Sequence, residues 1–135
     1  MGNTSNGMVT VECHASVRET AKRLSGFLEA SGLTIFAHID HGRNALEVGM
    51  ELRPTELLIF GNPTAGTPLM QDRQTAGLDL PFKALIWEDH TGKIWLTYND
   101  PAWLADRHGL SQSTGPIIEA IRQGMLKSAS TVSGA

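Results

Sequence analysis

The sequence predicts an α+β domain: a mostly antiparallel sheet with helices packed on one face. Three observations lead there. Short stretches around 9–13, 33–40 and 82–99 alternate apolar and polar residues, the period of a half-buried strand. The helical stretches between them do not alternate strictly with strands, as a doubly wound parallel sheet requires. Asp89-His90-Thr91-Gly92 joins two strand-like runs as a hairpin, with Asp at the first turn position and Gly where positive φ is needed.

The elements follow in order. Residues 1–8, MGNTSNGM, read as a polar N-terminal tail with neither the basic nor the apolar region of a secretory signal. Val9, Val11 and Cys13 alternate with polar neighbours and form the first strand. Ser16 precedes Glu19 by three residues, a capping box. The helix it opens runs to about Ala30, with Ala21, Leu24, Phe27 and Leu28 inward, and Gly32 stops it. Leu33 to Asp40 is the second strand. Gly42 to Met50 forms a short helix with Ala45, Leu46 and Gly49 inward, ended by Arg53-Pro54. The continuous run Leu57 to Phe60 suggests a strand covered on both faces.

Gly61 to Gly66 reads as a loop, followed by Thr67 as cap and Pro68 as the first residue of a helix to Ala76. Phe82 to Glu88 and Lys93 to Asn99 are the hairpin strands. A three-residue loop sets Trp87 opposite Trp95; a four-residue loop sets Ile86 there instead. In the first register Leu85, Trp87 and Trp95 share one face, and Ile86, Leu96 and Tyr98 the other. One face meets the helices; the other meets a second subunit or lines a cavity. Asp100-Pro101 repeats the cap-then-proline signature, and Gly109 closes that helix. Residues 111–135 form a linker, a C-terminal helix striped by Ile117, Ile121 and Met125, and a tail that frays from Ser128.

Composition bounds the function. The 135 residues, 41% hydrophobic with a net charge of -3, fit one domain and disfavour a basic nucleic-acid binder. No apolar run approaches the roughly 18 residues of a membrane span, so the expected compartment is the cytosol. A lone Cys13 excludes an intrachain disulfide and a Cys-rich zinc site, and reads as a buried, inert thiol.

His38, Asp40 and His41 form the densest polar group. Alternation puts His38 and Asp40 on one face. Imidazoles plus a carboxylate suit an ion or small polar ligand, and Asp40 with His41 could serve as an acid-base pair on a small anionic substrate. The same residues serve equally as a helix cap and ordinary hydrogen-bonding histidines. The loop Gly61 to Pro68 could present backbone N–H groups to an anion, or form a rigid turn in which Asn62 bonds backbone. His38, Asp40, His41 and Asn62 meet in one ligand-binding site if their strands are neighbours with polar ends together. Cofactor and metal stay open, as does enzyme activity; a purely structural or interaction module is the remaining alternative.

One ordered set of short motifs points to a family. Ile39-Asp40-His41, Leu52-Arg53-Pro54, Phe60-Gly61-Asn62-Pro63, Gly66-Thr67, Leu80-Pro81, Tyr98-Asn99-Asp100-Pro101 and His108-Gly109-Leu110 together resemble the prokaryotic domain of unknown function 302. The resemblance covers 9–110. It implies a compact α+β domain that pairs into a homodimer, with no assigned reaction and no catalytic motif to carry over.

Overall fold

The computed structural model describes residues 2–3 and 6–134. Six strands form one sheet: β1 (Gly2–Asn3), β2 (Met8–Cys13), β3 (Thr34–Asp40), β4 (Thr55–Gly61), β5 (Phe82–Glu88) and β6 (Ile94–Asn99). Their order is β1-β2-β6-β5-β4-β3, and every neighbouring pair is antiparallel. The helices are α1 (Val17–Ala30), α2 (His41–Glu47), α3 (Pro63–Asp72), α4 (Pro101–His108) and α5 (Gly115–Val132). Single 3-10 stretches follow α3, over Gln74–Asp79, and precede α5, over Gln112–Thr114.

Local chemistry sets most boundaries. Ser16 Oγ accepts from Glu19 N at 3.1 Å and starts α1, and Gly32 leaves it at φ 89°. Asp100 accepts from Ala102 N at 2.9 Å to open α4, and Gly109 ends it in the left-handed conformation. In the β5–β6 hairpin Asp89 Oδ1 accepts from Thr91 N at 2.8 Å, and Asp89 N bonds Lys93 O at 2.8 Å. That is the three-residue loop, and Trp87 stands opposite Trp95.

The core lies between one sheet face and helices α1 and α5. Val9 and Cys13, Leu96 and Tyr98, Ala84 and Ile86, and Leu58 and Phe60 supply the sheet side. Ala21, Leu24 and Leu28 of α1 and Met125, Ala129 and Val132 of α5 close over them. Each large side chain so buried contributes about 1.5–3 kcal/mol.

Four expectations change. The tail from Ser128 is helical to Val132, with Ser128, Ala129 and Val132 buried; their small size lets α5 lie close to the sheet. Helix α3 starts at Pro63, capped by Asn62, because Asn62-Pro63 offers the same signature as Thr67-Pro68 and comes first. In α2 no residue is buried, and Leu46 is 70% exposed. β4 is covered on one face only: Leu58 and Phe60 are buried, whereas Leu57 and Ile59 are half-exposed. At the N-terminus Gly2 and Asn3 pair with Thr10 and Val9; Met1, Thr4 and Ser5 of the expected tail lie outside the described residues.

Candidate functional site

The predicted site residues fall at the two ends of the β3–β4 pair. Asp40 is opposite Glu56 at one end, and Thr34 is opposite Gly61 at the other. Asn62 follows Gly61 directly. At about 3.3 Å per strand residue, Asn62 and Asp40 are roughly 20 Å apart. The expected convergence of all four residues does not occur. The reason is strand direction: the C-terminal ends of neighbouring strands meet only when the strands are parallel, and this pair is antiparallel.

At the first end a bulge between Ile35 and Ala37 shifts the phase of β3 and turns His38 and Asp40 toward the helix side of the sheet. There His38 Nε2 lies 2.6 Å from Glu56 Oε1, and Arg18 Nε donates to Glu56 Oε2 at 2.9 Å. Arg18 Nη2 also donates to Asp40 Oδ2 at 2.9 Å, while Asp40 Oδ1 accepts from Arg43 N at 2.9 Å and so caps α2. Asp40 therefore gives its oxygens to Arg18 and Arg43, not to His41, which occupies the first turn of α2. The Glu56 hydrogen bond and charge, with help from Asp40, push the Arg18 guanidinium pKa up.

Glu56 is 3% exposed, and its two oxygens are taken by Arg18 and His38. The group thus satisfies itself, tying α1 to the edge of the sheet. Glu56 and Arg18 were not among the residues expected here. The signal was present: Glu56 shares strand parity with Leu58 and Phe60, which places a carboxylate on the core face and demands a partner. Among the described residues no three His, Cys, Asp or Glu side chains group so as to hold a metal ion. Cys13 is buried, and burial, with the nearby Glu12 charge, pushes its thiol pKa up.

The other end is apolar and has room. A cavity of about 300 Å³ opens between α1, α5 and the ends of β4 and β5. Phe27, Leu28, Phe60, Phe82, Ile121 and Met125 form its walls. Asn62, Ser31, Lys127 and Ser128 supply its polar rim, and Asn62 also borders a smaller cavity of about 180 Å³ beside Phe36 and Pro81. The larger space has the size and character of a small-molecule site: concave, apolar, with a few polar groups at the edge. Phe27, expected inward on α1, is only half-buried because it faces this space.

A third polar group ties the 3-10 stretch after α3 to α4. His108 Nε2 is 2.5 Å from Asp79 Oδ2, Arg107 pairs with the same carboxylate at 3.1 Å, and Thr75 Oγ1 is 3.2 Å from His108 Nδ1. Its groups serve one another.

The model of the family described as "Domain of unknown function DUF302" matches residues 9–128, taking in most of α5. A protein from Brucella suis biovar 1 named "Fluoride-specific ion channel FluC 1" is 54% identical over 119 residues, 88% of this chain and 47% of its own length. A "Fluoride-specific ion channel FluC 2" from Brucella melitensis biotype 1 matches at the same identity over 44% of its length. The chain spans less than half of these relatives. The crystal structure of an uncharacterized conserved DUF302 protein from Bacillus stearothermophilus superimposes with a TM-score of 0.82 at 18% identity, over 93% of this chain and 98% of that one. That likeness establishes a shared fold.

Proposed function

The chain belongs to the DUF302 family, and from that premise we propose that it is a cytosolic small-ligand-binding domain that works as a homodimer. The observation that carries the ligand reading is the cavity of about 300 Å³ with Asn62 at its rim. Of the four residues expected to bind ligand, Asn62 alone borders this cavity; His38 and Asp40 stand in the self-satisfied charged group, where a polar ligand or ion has to displace an existing partner.

The homodimer reading rests on the sheet face turned away from the helices. Ile39, Leu57 and Leu85 line one row across it, and Trp87 and Trp95 pack at 6.4 Å between ring centroids. The polar atoms there are already engaged: Trp87 Nε1 donates to Thr97 Oγ1 at 2.9 Å, and Trp95 Nε1 to Asp89 Oδ2 at 2.8 Å. A face of aromatic and aliphatic carbon with its N–H groups satisfied suits a dry subunit contact. Trp95→Asp is expected to halve the mass seen by light scattering; a wild-type sample that is monomeric at high concentration removes the dimer from the proposal.

The channel activity in the relatives' names belongs to polypeptides about twice as long. No described helix of this chain is long and apolar enough to cross a membrane. On this reading the matched segment of those relatives is an accessory ligand-binding domain.

Gly124 provides the test of the cavity. It borders the space, and a Cβ added there meets nothing within 4 Å. Gly124→Phe has room for its Cβ and sets a bulky ring at the border of the cavity, and the helix itself should gain from losing glycine. Wild-type protein is expected to enhance the fluorescence of N-phenylnaphthylamine, a neutral apolar probe, and Gly124→Phe to abolish the enhancement at an unchanged or higher Tm. Equal enhancement by both proteins overturns the cavity as the binding site.

A further inference from the structure

Resting on that reading of the cavity, we infer that its ligand is a small amphipathic anion, an apolar chain or ring ending in a carboxylate, with the charge held at the rim by Lys127 and Asn62. Lys127 carries the one formal charge among the residues bordering the cavity, and no Asp or Glu borders it. The arginine-carboxylate pairs of the charged group at the far end of the strands are closed on themselves; Lys127, like the other lysines, makes no ion pair among the described residues, and it is the lysine that borders this cavity. A cation at the mouth of an apolar space favours a ligand of opposite charge over a neutral or cationic one of the same shape.

The neutral rim groups point the same way. Asn62 Oδ1 is used, accepting from Thr64 N at 2.9 Å as the cap of α3, so the amide offers its two N–H donors. Ser31 Oγ donates to Phe27 O at 2.8 Å and Ser128 Oγ to Gly124 O at 2.8 Å, so the serine protons are already committed to helix carbonyls. The donors left at the rim are therefore an ammonium and an amide, which suit a carboxylate. The start of α3, the positive end of a ten-residue helix, borders the same rim through Asn62 and Ala65 and adds to the preference.

The experiment displaces N-phenylnaphthylamine from the intact chain with octanoate, octanol and octylamine. These share an apolar chain and differ in the charge of the head. Octanoate is expected to displace the probe at about one-tenth the concentration octanol needs, the size of one charge-assisted contact. Lys127→Ala should erase that difference, and Lys127→Arg should keep it. Asn62→Asp preserves a good helix cap while replacing the donors with a carboxylate that offsets Lys127; it too should erase the advantage of octanoate, and combined with Lys127→Ala it should reverse the order in favour of octylamine. Equal displacement by octanoate and octanol in the wild type overturns the anion inference and leaves the cavity reading standing. Probe binding that survives Gly124→Phe overturns the cavity reading, and the inference with it.

Discussion

The two ends of the β3–β4 pair hold opposite kinds of site. One end gathers Arg18, His38, Asp40 and Glu56 within hydrogen-bonding distance. The other offers aromatic and aliphatic walls around empty space, with an amide and an ammonium at the edge. The first is richer in chemistry and borders an open cavity of about 520 Å³, but its bonding capacity is used: each carboxylate oxygen of Glu56 and Asp40 has a partner inside the chain. The second is poorer in chemistry and has capacity left over. Unused bonding capacity next to room, more than density of reactive side chains, marks where a ligand is accommodated. It follows that changes at the charged end should act on stability, and changes at the apolar end on binding.

The largest expected effect comes from the apolar end, where walls and core coincide. Phe60 is 3% exposed and faces the cavity. Phe60→Ala should cost about 3–5 kcal/mol in urea unfolding, the usual range for an aromatic truncated in a core. It should also enlarge the space so that longer chains displace the probe better than octanoate. A loss of stability without any change in preferred chain length breaks the link between this wall and the ligand.

At the charged end Asp40→Ala removes both the α2 cap and the Arg18 pair. A cap is worth about 1 kcal/mol, which for a domain of this size lowers Tm by a few degrees. Probe binding should stay within twofold of wild type. If Asp40→Ala abolishes probe binding with Tm unchanged, the division of labour between the two ends is wrong. Glu56→Leu sharpens the point. Removing one partner of a buried ion pair is costly when it strands a buried charge, but Arg18 is 71% exposed and keeps Asp40, so Tm should stay near that of wild type, whereas Glu56→Ala should lower it by leaving a void against α1.

The smallest effect lies away from both ends, at the hairpin turn. Hydrogen bonds from the Thr91 hydroxyl, then the Trp95 indole, then the backbone N–H groups of Thr91 and Lys93 hold the Asp89 carboxyl well below the usual carboxylate range. A carboxyl depressed in the folded state adds stability above its unfolded pKa, near 3.9, and loses it as pH falls through the folded value. The Tm advantage of wild type over Asp89→Asn should therefore be constant from pH 7 to about 5 and shrink below about pH 4. A gap that stays constant to pH 2 assigns the effect to turn geometry instead of charge.

Much of the fold was legible along the chain because its signals are short. The Ser16 to Glu19 cap, the Gly32 and Gly109 stops and the Asp89 turn each work across four residues or fewer, so the sequence alone determines them. The same holds for the two faces of the hairpin, since alternation fixes which side chains go together. Where two equivalent signals compete, as with Asn62-Pro63 and Thr67-Pro68, the shorter-range rule cannot choose; the helix starts at the first. The bulge at Phe36 was likewise invisible to strict alternation.

What the sequence could not decide is which ends of the strands meet. The segment 41–54 between β3 and β4 is long enough for either a parallel crossover or an antiparallel return, and the two choices send Asn62 to opposite ends of Asp40. Sheet order and strand direction emerge from contacts between residues far apart in sequence, made to bury one face of β2, β4, β5 and β6 under α1 and α5 at once. Those contacts placed Glu56 among the core side chains, Arg18 over it, and Asn62 at the rim of the cavity.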